Sequence, residues 1–98
     1  MNQDQFAAQL GQAWGALRQG QNADAIRGFE QILKSDSSHL DALYGLAMSQ
    51  AEQGQKDSAR TTFEKCLELT RAALAANPGT DRFEMLIRMI QQRIHELV

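Results

Sequence analysis

Residues 20–33 read GQNADAIRGFEQIL, and residues 54–67 read GQKDSARTTFEKCL. Laid over each other without a gap, they share Gly20/Gly54, Gln21/Gln55, Ala25/Ala59, Phe29/Phe63, Glu30/Glu64 and Leu33/Leu67. The offset is 54 − 20 = 34 residues. A fixed period of this size marks a stacked repeat. Ala25 and Phe29 lie on one helix face, one turn apart, and Leu33 continues it. The small residue admits a neighbouring helix, and the aromatic fills the space one turn on. Gly20 and Gly54 end the preceding helices, where a left-handed residue is cheapest as glycine. The chain encodes helix, tight turn, small residue and large residue, then encodes them again.

Length and composition narrow the rest. Ninety-eight residues make one small domain. One Pro, one Tyr and one Trp, with abundant Ala and Gln, favour helix over sheet. A net charge of −2 and scattered basic residues argue against nucleic acid or a membrane surface as partner. The single cysteine excludes an internal disulfide and suits a reducing, cytoplasmic setting. The opening MNQDQFAAQL has no basic segment followed by a long apolar run, and no apolar run approaches ~18 residues. No signal peptide and no membrane span are expected.

Helical spacing predicts five helices. Helix one runs from about Asp4 to Arg18, with Phe6, Leu10, Ala13, Trp14 and Leu17 as its stripe. Gly11 and Gly15 each cost about 1 kcal/mol there, which points to close helix packing. Helix two runs from Asn22, as N-cap, to Lys34, and buries Ala25, Ile26, Phe29, Ile32 and Leu33. Ser38 and Asp41 resemble a capping box for helix three, His39 to Gln53. That helix is apolar on two faces, Leu43/Leu46/Ala47 and Leu40/Tyr44/Met48/Ala51, so it needs two neighbours or a ligand. Helix four starts near Lys56 and is broken by Asn77-Pro78-Gly79. Helix five, Asp81 to Leu97 with Thr80 as cap, carries Phe83, Leu86, Ile87, Ile90, Ile94 and Leu97, widened by Met85 and Met89.

The period, the turn glycines and the Ala–Phe pair resemble the tetratricopeptide repeat, whose pattern is W-x2-L-G-x2-Y, then A-x3-F, then Pro. The second copy supplies Leu43, Leu46, Ala47, Ala59 and Phe63, and the first Gln9, Gln12, Ala13, Ala16, Ala25 and Phe29. The closing proline is replaced by Ser37 and Arg71. The first proline comes at Pro78, so helix four is prolonged by 78 − 71 = 7 residues, about two turns. The resemblance implies an all-α, right-handed superhelix in one domain spanning 1–98. Repeat one covers about 6–38, repeat two about 39–76, and a capping helix about 80–97.

The resemblance also implies a concave binding face lined by the first helix of each repeat. That maps to Ala7, Leu10, Trp14, Leu17 and Arg18, with Asp41, Tyr44, Met48, Ala51 and Glu52. Aromatic residues and Met suit an interface core. Against this stands self-burial, with helix five or the N-terminal turn folded over Trp14. The family's clamp for chaperone C-terminal tails is absent, because Leu10, Trp14 and Gly45 fill its Lys and Asn slots. An apolar peptide or helical segment of a protein fits better.

Catalytic chemistry has no foothold in the spacing. His39 and His95 belong to no metal-ligand set, Cys66 takes the slot of the core residue Ile32, and no phosphate-binding glycine loop follows a strand. The expected function is a non-enzymatic protein-interaction module with no cofactor and no metal. The alternative is self-assembly into a homodimer through helices four and five, with Met85 and Met89 on the shared face.

Overall fold

The computed structural model describes residues 5–97, all helix and turn, with no strand among them. The helices are α1 (Ala7–Arg18), α2 (Asn22–Ser35), α3 (Leu40–Glu52), α4 (Lys56–Ala76) and α5 (Asp81–Glu96). The expected start of helix one at Asp4 lies outside the described residues. Each helix packs on the next in sequence, and α1 also touches α3. The molecule measures 38 × 36 × 20 Å, and the short dimension holds two helix layers about 10 Å thick. The architecture is an all-helical repeat superhelix.

The two turns are copies of each other in detail. Gly20 has φ 80° and Gly54 φ 85°. Gly20 N–H donates to Leu17 O at 3.0 Å and Gln21 N–H to Ala16 O at 2.9 Å; Gly54 to Ala51 O (3.0 Å) and Gln55 to Gln50 O (2.8 Å) repeat the pair. Each is the paired closure that satisfies the last carbonyls of a helix through a left-handed residue.

The periodic positions are the core. Ala25 and Ala59, Phe29 and Phe63, and Ile32 and Cys66 are each no more than 1 % exposed. One cluster gathers Phe6, Leu10, Ala13, Ala25, Phe29 and Ile32 with Ala42 and Leu46; the other gathers Leu43, Tyr44, Ala47, Ala59, Phe63, Cys66 and Ile90. Helix α3 feeds both clusters and is buried at Ala42, Leu43, Tyr44, Gly45, Leu46, Ala47 and Ser49. Helices α2 and α4 both pack against it. Deleting either phenylalanine side chain would cost about 3–5 kcal/mol. That is a large part of the ~5–15 kcal/mol that holds a domain folded.

Several local expectations are corrected. Gln21, not Asn22, is the N-cap of α2, and it makes no side-chain cap bond. His39 caps α3, its Nδ1 accepting from Ala42 N–H at 3.1 Å. Ser38 instead donates its N–H to Asp36 Oδ1, and Asp41 is engaged elsewhere. Thr80 is the N-cap of α5 as expected, but its hydroxyl donates back to Asn77 O at 2.8 Å and makes no cap bond to the helix. A Cβ on Gly11 would meet nothing within 4 Å, and one on Gly15 only the Arg18 guanidinium at 3.9 Å, so neither glycine serves close packing. Gly28 and Gly45 do: a Cβ on Gly28 would lie 3.0 Å from Ala13 Cβ, and one on Gly45 would enter the Phe29 ring.

These glycines separate propensity from packing. Gly11→Ala should raise stability by about 0.5–1 kcal/mol. Gly45→Ala gains the same propensity yet should lose about 1–3 kcal/mol, because the fully buried Phe29 ring cannot withdraw. Urea melts of both variants check the pair; a stabilised Gly45→Ala would contradict this packing.

Candidate functional site

Four aromatic rings link the core to the surface. Trp14, on α1, stands edge-on to Phe29 with ring centroids 5.1 Å apart at 75°. Tyr44, on α3, stands edge-on to Phe63 at 5.8 Å and 65°. Trp14 and Tyr44 face each other at 6.3 Å. Edge-to-face pairs of this kind add about 0.5–1.5 kcal/mol beyond area burial. A polar tether holds each outer ring: Trp14 Nε1–H donates to Asp41 Oδ1 at 3.2 Å, and Arg93 Nε–H donates to Tyr44 Oη at 3.4 Å. Arg93 also pairs with Glu96 at 3.0 Å. Its bonds to Tyr44 and Glu96 raise the guanidinium pKa further, and those from Gln92 and Arg93 hold the Glu96 carboxyl below the usual range.

The outer rings floor a groove of about 640 Å³ between three helices. Trp14 comes from α1; Leu40, Asp41 and Tyr44 from α3; Arg82, Met85, Leu86 and Met89 from α5. A hollow of about 340 Å³ shares Tyr44, Met85 and Met89 and continues past Arg88, Gln92, Arg93 and Glu96. Met85 is 55 % and Met89 41 % exposed, the large hydrophobic side chains left exposed among the described residues. Helix α5 is thus the far wall of the face, not a lid over it, and Trp14 stays half-buried. Of the N-terminal turn, Phe6 joins the first core cluster.

The residues expected to bind do not all meet here. Trp14, Asp41 and Tyr44 line the groove, and Met85 and Met89, expected on a separate dimer face, line it too. Leu10 is a correction: it is 8 % exposed and belongs to the first core cluster, so it is structural. Leu17 packs half-buried against the same cluster, and Arg18 is exposed outside the groove lining. Met48 and Glu52 border a separate hollow of about 80 Å³ beside Phe63. Sequence reasoning missed Leu40, Arg82 and Leu86. Leu40 was visible as the start of the second apolar face of α3, but nothing in helical spacing says which helix stands opposite another.

No group of three metal-ligating side chains exists among the described residues, and no helix is long and apolar enough to cross a membrane. Cys66 is fully buried, its Sγ 3.6 Å from Leu40 O, and burial pushes the thiol from 9.0 up to about 11. That is the reverse of an activated nucleophile.

Residues 10–79 match the family model of the tetratricopeptide repeat. No curated protein matches the chain. The matched stretch spans α2, α3 and α4 with most of α1, and it ends two residues before α5, which contributes the methionine wall.

The raised thiol pKa gives an alkaline signature. Below pH 9 the thiol is protonated in both folded and unfolded chains and has no effect. As pH climbs from 9.0 to about 11 the unfolded thiol ionises while the folded one does not. That lowers stability by up to about 3 kcal/mol. Denaturant melts across this range should show Cys66→Ala falling less steeply than the parent; equal slopes would mean an accessible thiol.

Proposed function

The chain belongs to the tetratricopeptide repeat family, and on that premise we propose that it is a non-enzymatic module that captures an apolar-anchored segment of a partner protein in the α1–α3–α5 groove. Repeat one (about 6–38) and repeat two (about 39–76) form the frame in this reading, and α5 covers the open side of α4 while walling the groove. The observation that carries it is the junction itself. Two core-anchored aromatic rings and two exposed methionines line one hollow of about 640 Å³. A floor already fixed by ring stacking and polar tethers loses little freedom on binding. Methionine on the opposite wall adapts its shape to the ligand. Trp14, Tyr44, Met85 and Met89 are the proposed contact residues, with Leu40 and Leu86 beneath them.

Self-assembly is the second reading, favoured by the exposure of Met85 and Met89 alone. Helix α4 lends it no exposed large hydrophobic side chain. Light scattering separates the readings, since a dimer has twice the 10.9 kDa chain mass.

The experiment is a titration with a helical, leucine-anchored peptide, read by the emission of the single tryptophan. The parent should show a saturable shift of Trp14 emission. Met85→Glu with Met89→Glu should leave the melt within about 0.5 kcal/mol of the parent, because both sites are exposed, and weaken binding at least tenfold. Undiminished binding by that variant would sink the groove assignment.

A further inference from the structure

We infer that the occupant of this groove is an acidic amphipathic segment, with carboxylates flanking its apolar anchors; the inference rests on the groove reading above. The chain as a whole is acidic, with a net charge of −2. The wall formed by α5 is not. Of the charged groups around the two joined hollows, Glu96 is paired with Arg93, while Asp41, on the α3 side, accepts from the neutral Trp14 Nε1–H and keeps its charge. Arg82 and Arg88 remain, exposed, with no ion pair among the described residues, although Glu84 lies one turn before Arg88. Around the two hollows three guanidinium groups face two carboxylates, and the two cations left without an ion pair among the described residues stand on one helix.

Their spacing sets the pattern of the partner. Arg82 and Arg88 stand six residues apart, about 9 Å along the helix axis. Met85 stands between them, and Met89 continues the apolar strip. A helix lying along α5 meets this with a carboxylate, a bulky apolar residue about one turn on, and a second carboxylate about one turn beyond that. Its apolar side chains reach the Trp14–Tyr44 floor while its carboxylates sit over the arginines at the rim. Guanidinium groups favour this arrangement because they present paired donors to carboxylate oxygens. The rim is solvated, so the contribution is chiefly to specificity and on-rate and is sensitive to salt.

Three sixteen-residue peptides with identical leucine anchors and Glu, Gln or Lys at the flanking positions test this on the full chain. The Glu peptide should bind about tenfold tighter than the Gln peptide, as two rim pairs imply. That advantage should vanish in 0.5 M salt, where the screening length falls to roughly 4 Å from about 10 Å at 0.1 M. Arg82→Gln with Arg88→Gln should remove the advantage and keep the apolar affinity. Arg82→Glu with Arg88→Glu should make the Lys peptide the best ligand. If the Gln or Lys peptide binds the parent as well as the Glu peptide does, the acidic occupant is wrong while the groove reading stands. If none of the three shifts Trp14 emission, the groove reading itself falls. A dimer that the Glu peptide does not dissociate makes a second copy the occupant and overturns the proposal.

Discussion

The ring of Phe29 seated on the backbone of Gly45 is the contact on which the rest depends. It joins α2 of the first unit to α3 of the second, and a side chain of any size at Gly45 would push the two units apart. Trp14 stands edge-on to the same ring. Phe63 serves Tyr44 in the same way one repeat later. The two aromatic residues that floor the groove are thus the outer members of stacks whose inner members are core. Displacing either core phenylalanine would disturb the groove as well as the fold. A floor built this way is rigid before any ligand arrives, which suits capture by preorganisation.

Some of this was legible in the sequence because the physics is local. Gly20 and Gly54 are needed for a positive φ, and that requirement travels with the residue. Ala25, Phe29 and Ile32, with Ala59, Phe63 and Cys66, reveal themselves by helical spacing and by recurring at the same offset. Other features depend on what lies across a contact. Gly11 and Gly45 look alike in a list of residues, yet one faces open space and the other faces a ring. Leu10 and Trp14 share one helical stripe, and only the packing of α2 decides that Leu10 goes inward. The caps failed for a related reason: Asn22 and Ser38 have suitable side chains, but the chain enters α2 and α3 at Gln21 and His39.

The site shows the same division. Trp14, Asp41 and Tyr44 follow from knowing which helices line the inner face of a repeat stack. The partner wall does not, because the direction of α5 is set by the short connection from Asn77 to Thr80, where Gly79 takes φ 86° and Thr80 bonds back to Asn77. Two surfaces that look separate along the chain, an aromatic pair and a methionine pair, become one. The family frame supplies the floor, and the helix beyond the matched stretch supplies the wall and its arginines.

The most direct test of the groove follows the methionine methyl groups, of which the chain has four. Met85 and Met89 line the groove, while Met48 borders the separate hollow beside Phe63. In a methyl-labelled protein titrated with the acidic, leucine-anchored peptide, the Met85 and Met89 signals should shift together with the Trp14 indole N–H, and Met48 should hold its position. Shifts centred on Met48, or binding that leaves Met85 and Met89 unmoved, would contradict the account.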